Sequence, residues 1–157
     1  MIYRKTITTL KNVTEASPKE TDLNITKGLV YFVELMFPSG SEGLLHVQIL
    51  DGNYQVWPSS YGESFFGDDI YLRYDDLYIK EAAPMFFRVK TWNDDDLYPH
   101  KVVVGVGLVS KDIFMARFLP SMMYKEFEAV YKRILEEQHR KKLAILKAPF
   151  FPISGGA

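Results

Sequence analysis

Leu29-Val30-Tyr31-Phe32-Val33-Glu34-Leu35-Met36-Phe37 is apolar on both of its alternate faces except at Glu34. That is how a strand covered on both sides reads. The turn Pro38-Ser39-Gly40-Ser41-Glu42-Gly43 separates it from Leu44-Leu45-His46-Val47-Gln48-Ile49-Leu50. In this second run Leu45, Val47 and Ile49 share one face, and Leu44, His46, Gln48 and Leu50 share the other. Asp51-Gly52-Asn53 then turns the chain into Tyr54-Gln55-Val56-Trp57. Residues 27–57 therefore predict a meander at the heart of a β-sandwich.

The pattern continues outward. Residues 85–92 place Met85, Phe87, Val89 and Thr91 on one face, with Phe86, Arg88, Lys90 and Trp92 on the other. Residues 100–110 place Val102, Val104, Val106 and Leu108 on one face, while Val103, Gly105, Gly107 and Val109 occupy the opposite one. Glycine weakens a strand interior, so Gly105 and Gly107 predict a bend or the close approach of a bulky neighbour. Residues 58–69 read as a long loop, and residues 70–73 and 77–80 as short strands flanking Asp75-Asp76. Residues 1–26 read as an N-terminal arm able to pair with a sheet edge of its own subunit or of a neighbour. With the arm this makes roughly seven or eight strands at about 8–12-residue spacing. The expected class is mainly β: an antiparallel β-sandwich, jelly-roll or Ig-like, over residues 27–110.

Residues 111–157 change period. Ser110 is placed to cap a short helix that Pro120 ends, and Ser121 a longer one reaching about residue 146. Phe127, Val130 and Ile134 line one stripe of the longer helix, widened by Tyr131 and Leu135. Its polar stretch, residues 136–142, can hold Glu136–Arg140 and Glu137–Lys141 pairs one turn apart. Leu146 and the proline-bracketed Phe150, Phe151 and Ile153 then form an apolar peg. The peg docks either on its own sandwich or on another chain.

Composition excludes several function classes. The chain has 157 residues, no cysteine and a formal net charge of −1, so thiolate chemistry and a global field for nucleic acid are absent. The charge is divided unevenly: residues 1–110 carry 10 basic against 15 acidic residues, and residues 111–157 carry 9 against 5. The basic residues sit on one helix, interleaved with acids and without a stacking surface, which argues against direct nucleic-acid binding. No run has the length and apolarity of a membrane span or a signal-peptide core.

Chemistry-bearing constellations are sparse. Histidines occur at 46, 100 and 139, and no serine sits in a nucleophile-elbow context, so acyl transfer is not expected. Asp94, Asp95 and Asp96 follow a strand and offer oxygen ligands of the type Ca²⁺ uses. Aspartate is also a common turn residue, which is the plainer explanation. Glu34, within an apolar strand, reads as a paired structural acid. Trp57, Tyr61 and Trp92, together with Phe86, are candidate carbohydrate-binding platforms. Arg88 and Lys90 share a face with Trp92 and allow cation–π packing without any ligand.

Lys27-Gly28, Phe37-Pro38, Gly43-Leu44, Trp57-Pro58, Trp92-Asn93-Asp94-Asp95 and His100 carry a resemblance confined to the middle of the chain. The layout resembles small uncharacterised β-sandwich structural proteins of tailed bacteriophages. The resemblance implies a virion component, such as a capsid decoration, connector or tail protein, and carries no catalytic residue with it. The expected function is a non-enzymatic protein that binds other copies of itself or other virion proteins. Its expected contacts are the arm, Phe127, Ile134, Leu146, Phe150, Phe151 and Ile153. The expected location is the virion, with the cytoplasm as alternative. The alternative function is a carbohydrate-binding module, with Ca²⁺ in the Asp-rich loops.

Overall fold

The computed structural model describes residues 1–118 and 124–147. The chain divides into two units, one holding every strand and the first helix, the other holding the long helix. The strands are β1 (Ile2–Thr9), β2 (Lys19–Asn24), β3 (Gly28–Phe37), β4 (Leu45–Asp51), β5 (Tyr54–Trp57), β6 (Phe65–Phe66), β7 (Ile70–Lys80), β8 (Phe86–Asn93) and β9 (His100–Val109). They form two antiparallel sheets. The first runs β1-β9-β3-β7, and the second β2-β8-β4-β5 with β6 also on β4. The protein is mainly β with a C-terminal helix, as its alternation and change of period predict.

The alternation names the core residues correctly. Leu45, Val47, Ile49, Phe87 and Val89 from the second sheet join Val33, Leu35, Val102, Val104, Val106 and Leu108 from the first in one buried apolar cluster. Side chains two apart along each strand point the same way, so β8 and β9 each bury one whole row and β4 buries Leu45, Val47 and Ile49 together.

Partnerships between strands differ from the expected meander. β3 and β4 do not pair; they belong to different sheets, and only β4–β5 is a hairpin. Alternation assigns faces, not partners. The long turn from Pro38 to Gly43 has reach enough to change sheets, whereas Asp51-Gly52-Asn53-Tyr54 closes tightly with Gly52 at φ 63°. The crossing turn is held by Asp68, whose Oδ1 accepts the Gly40 and Ser41 amides at 2.7 and 2.8 Å.

Residues 1–26 are not a free arm. β1 pairs with β9 along its whole length, from Ile2 opposite Gly107 to Thr9 opposite His100, and β2 pairs with β8. Each sheet receives one of its outer strands from this segment, within the same chain. Residues 70–80 form one strand instead of two, with a register shift opposite Val30 and Phe32 that accommodates Asp75-Asp76.

Beneath the sheets lies one ionic tie. Lys80, only 1% exposed, bonds through Nζ to Asp51, which also accepts the Tyr78 hydroxyl at 2.7 Å. Lys80 and Tyr78 end β7 in the first sheet, and Asp51 ends β4 in the second, so the group joins the two. Burial first, then hydrogen bonding to Asp51, raises the Tyr78 phenol far above its ordinary range.

α1 (Lys111–Phe118) starts where expected: the Ile113 amide reaches Ser110 Oγ at 3.4 Å and the Phe114 amide bonds the Ser110 carbonyl at 2.9 Å. In the second unit α2 (Tyr124–Lys147) runs 24 residues, about 36 Å at 1.5 Å per residue. Glu137 and Lys141 pair at 2.9 Å on its polar stretch. The Ser121 cap and the peg residues Phe150, Phe151 and Ile153 lie outside the described residues.

Candidate functional site

The register of the second sheet lays three rows of polar and aromatic side chains across its outer face. Trp92 stands opposite His46, and His46 opposite Phe66; Glu20 faces Lys90, which faces Gln48; Asp22 faces Arg88, which faces Leu50. The Trp92 and His46 rings stack at 5.0 Å with planes only 4° apart. Glu20 lies 3.3 Å from Arg88 and 3.6 Å from Lys90, so the basic residues are largely neutralised locally.

Between two flanking loops this face forms a groove of about 370 Å³. Gln48, Lys90 and Trp92 line its floor, Glu15 and Tyr61 its sides, and Asn53 one end. The loop carrying Tyr61 is strapped to the sheet. Gln55 Nε2 donates to the carbonyls of Pro58, Ser60 and Glu63 at 2.8–3.0 Å, and Gln55 Oε1 accepts the Gly62 amide at 3.2 Å. Gln48 Nε2 adds a bond of 3.0 Å to the Glu63 carbonyl.

Of the aromatic platforms expected from sequence, Tyr61 and Trp92 both line this groove, but only Tyr61, 55% exposed, stands open; Trp92 is 6% exposed and stacked on His46. Trp57 is elsewhere. It is 4% exposed, edge-on to Tyr78 and Phe87, with its indole N–H on Asp76 at 2.8 Å. The register shift between Ile49 and Leu50 pairs Ile49 with Trp57 and turns that ring inward. A bulge of this kind leaves no reliable mark on alternation.

Asp94, Asp95 and Asp96 do not converge. Asp95 Oδ1 accepts the Leu97 and Tyr98 amides at 2.6 and 3.0 Å, while its Oδ2 meets His100 Nε2 at 2.7 Å. These backbone bonds, and then the bond to His100, hold the Asp95 carboxyl below the usual carboxylate range. Asp94 turns instead toward His46. Among the described residues no three acidic or histidine side chains gather in a way that could hold a metal ion. The three aspartates thus form no common ligand set, and Asp95 builds the turn itself.

One constellation was invisible in the sequence. His46 Nδ1 lies 2.9 Å from Ser64 Oγ and its Nε2 3.3 Å from Asp94 Oδ2. These are the residue types of a hydrolytic relay. Asp94 is 54% exposed, however, so solvent screens its pull on the imidazole. The positions are 18 and 48 residues from His46, and nothing but the β4–β6 and β4–β8 registers joins them.

The outer face of the first sheet keeps only a small cleft of about 50 Å³, lined by Arg4, Glu34, Met36, Tyr71 and Val103. Glu34 lies across Gly105 to meet Arg4 Nε at 2.5 Å and the Tyr71 hydroxyl at 2.6 Å. Burial raises the Glu34 carboxyl, but the Arg4 and Tyr71 hydrogen bonds outweigh it and leave it below its ordinary range. The Phe32 ring covers Gly107, and the Arg73 guanidinium sits 4.0 Å above that ring. At the margin of this sheet β7 leaves Ile70, Tyr71, Tyr74 and Leu77 exposed.

Of the residues expected to bind a partner, Phe127 is buried beside Tyr131 with ring centres 5.7 Å apart, Ile134 is half-buried and Leu146 is exposed. Val130 and Leu143 are exposed too. No helix among the described residues is long and apolar enough to cross a membrane. Compared with protein-family models, with curated proteins and with solved structures, the chain matches none.

Proposed function

We propose that the two sheets are a jelly roll and that the protein is a non-enzymatic assembly component of the virion type: a capsid decoration, connector or tail protein. The nested pairing supports the fold assignment: β1 with β9, β2 with β8, β3 with β7 and β4 with β5, as when one long antiparallel ribbon wraps into two sheets. Jelly rolls occur in capsid proteins and also in lectins and cupins, so the virion role leans on the sequence resemblance and on the surfaces, not on the fold alone.

The observation that carries the assembly reading is the edge of β7, which pairs with β3 on one side and with no strand on the other among the described residues. It is 11 residues long, and Ile70, Tyr71, Tyr74 and Leu77 on it are each 40–52% exposed. Such an edge is a template for another chain. It is also self-complementary. If two copies pair antiparallel about Tyr74, Arg73 of each faces Asp75 of the other, and Tyr71 faces Leu77. Opposite charges and aromatic–aliphatic pairs across strands are the favourable combinations, and a two-fold contact of like surfaces is the commonest way soluble chains associate. The exposed Leu143 and Leu146, one turn apart on α2, supply a second apolar surface for the same purpose. The N-terminal segment does not contribute as an arm, because its strands are already paired at home. Ser64, His46 and Asp94 serve in this reading as a tether between β4, the loop before β6 and the end of β8.

Sedimentation of wild type against the Ile70→Lys/Leu77→Lys double variant tests the proposal. Wild type is expected as a dimer or larger species and the variant as a folded monomer. A monomeric wild type at high protein concentration would overturn the assembly reading. Hydrolysis of p-nitrophenyl acetate that Ser64→Ala abolishes would overturn the non-enzymatic one.

A further inference from the structure

We infer that the groove on the outer face of the second sheet is a binding site for a neutral saccharide, a function additional to assembly. At about 370 Å³ it falls at the small end of ligand clefts, which span about 300–1,000 Å³. That suits a short polyhydroxy ligand and excludes a helix or a folded partner.

The chemistry of the lining selects the ligand class. Asn53 presents a planar amide able to donate to and accept from vicinal hydroxyls, and Gln48 an amide oxygen able to accept from one. Gln48 spends its Nε2 on the Tyr61 loop, and its Oε1 receives no protein donor among the described residues. The Trp92 indole N–H likewise donates to no protein group among them, although this residue lines the groove. Tyr61, 55% exposed, offers a ring face against which the apolar C–H surface of a sugar can lie.

Charge argues against the main competitors. Glu15 and Lys90 both belong to the lining, and Glu20 sits 3.6 Å from the Lys90 ammonium. A phosphate or carboxylate ligand would meet a compensated cation with acids beside it. A nucleobase would find ring faces but no cation free for its phosphate.

The site is also held in shape before any ligand arrives. The bonds from Gln55 fix the loop beneath Tyr61, and His46 stacked on Trp92 fixes the indole plane. Preorganisation of this kind lowers the cost of ordering on binding.

The test uses the full chain on an array of neutral oligosaccharides built from glucose, mannose, galactose and N-acetylglucosamine, with sialylated and sulfated glycans beside them. Any hit is followed by titration monitored through the two tryptophan indole N–H resonances. The Trp92 signal is expected to move, while that of Trp57, buried on Asp76, stays still. Tyr61→Ala and Gln48→Leu are each expected to weaken binding by about tenfold. A blank array with folded wild type would overturn the inference. So would binding confined to the acidic glycans, or binding that both substitutions leave unchanged.

Discussion

The outer faces of the two sheets resolve the same problem in opposite ways. On the first sheet β9 supplies Gly105 and Gly107, and its neighbours fall into the space: Glu34 bridges to Arg4 and Tyr71, and Phe32 lies flat under Arg73. On the second sheet Gln48 and Lys90 rise beside the strapped Tyr61 loop, over a Trp92 that is nearly buried, and a groove remains. A face missing side chains becomes internally paired. A face full of polar side chains beside a strapped loop keeps a groove. On the proposed readings the second face holds the saccharide, while the first sheet meets a partner only at the edge of β7.

The largest expected effect strikes both faces at once. Asp51→Ala leaves the Lys80 ammonium buried without its carboxylate at the junction of the two sheets. Breaking a buried pair from one side costs about 3–5 kcal/mol, so urea unfolding should show a loss of that order and a collapse of both faces together. A loss of under about 1 kcal/mol, at the level of an exposed pair, would mean that the tie is not as dry as its burial implies.

Gly105→Val separates the faces. A Cβ at this position would meet Glu34 Oε1 at 2.5 Å, and overpacking costs about 1–3 kcal/mol. The melting temperature should drop while saccharide binding by the surviving folded fraction is unchanged. If binding falls in parallel with stability, the two faces are coupled and the division of labour is wrong.

Gln55→Ala addresses the second face alone. Three carbonyls lose their shared donor, a change worth about 1–3 kcal/mol if they stay dry and less if water replaces the amide. The expected signature is local: faster protease cleavage within residues 58–64 and weaker ligand binding, with little change in the global unfolding midpoint.

The mildest probe is pH. Glu34, Asp68 and Asp95 all have folded-state carboxyl values below their ordinary ones. Groups depressed in this way contribute stability above their unfolded values of about 4, and lose it as pH falls through the lower folded values. Stability should therefore be flat near neutrality and decline only below about pH 4. Glu34→Gln should remove part of that acid dependence, and a slope unaltered by it would relocate the effect to Asp68 and Asp95.

Much of this molecule was legible from residue order alone. The buried rows of β4, β8 and β9 follow directly from alternation, because the side-chain period of a strand is fixed by its backbone. Gly105 and Gly107 announced close neighbours, because absent side chains must be replaced by something. Ser110 announced a helix start, because amides at that end need an acceptor. What alternation cannot encode is partnership. It paired β3 with β4, which lie in different sheets, left open whether residues 1–26 pair at home or on a neighbour, and put Trp57 on the surface. It also left Ser64, His46 and Asp94 unconnected. Those outcomes depend on register, on a bulge at Ile49 and on the reach of loops. The sequence determined which side chains share a face, and so the buried rows of β4, β8 and β9, since the side-chain period is a local property of the backbone. Only the tertiary structure decided which strands meet, and so whether Tyr61 and Trp92 share a groove, because contacts between distant residues are settled by the packing of whole sheets.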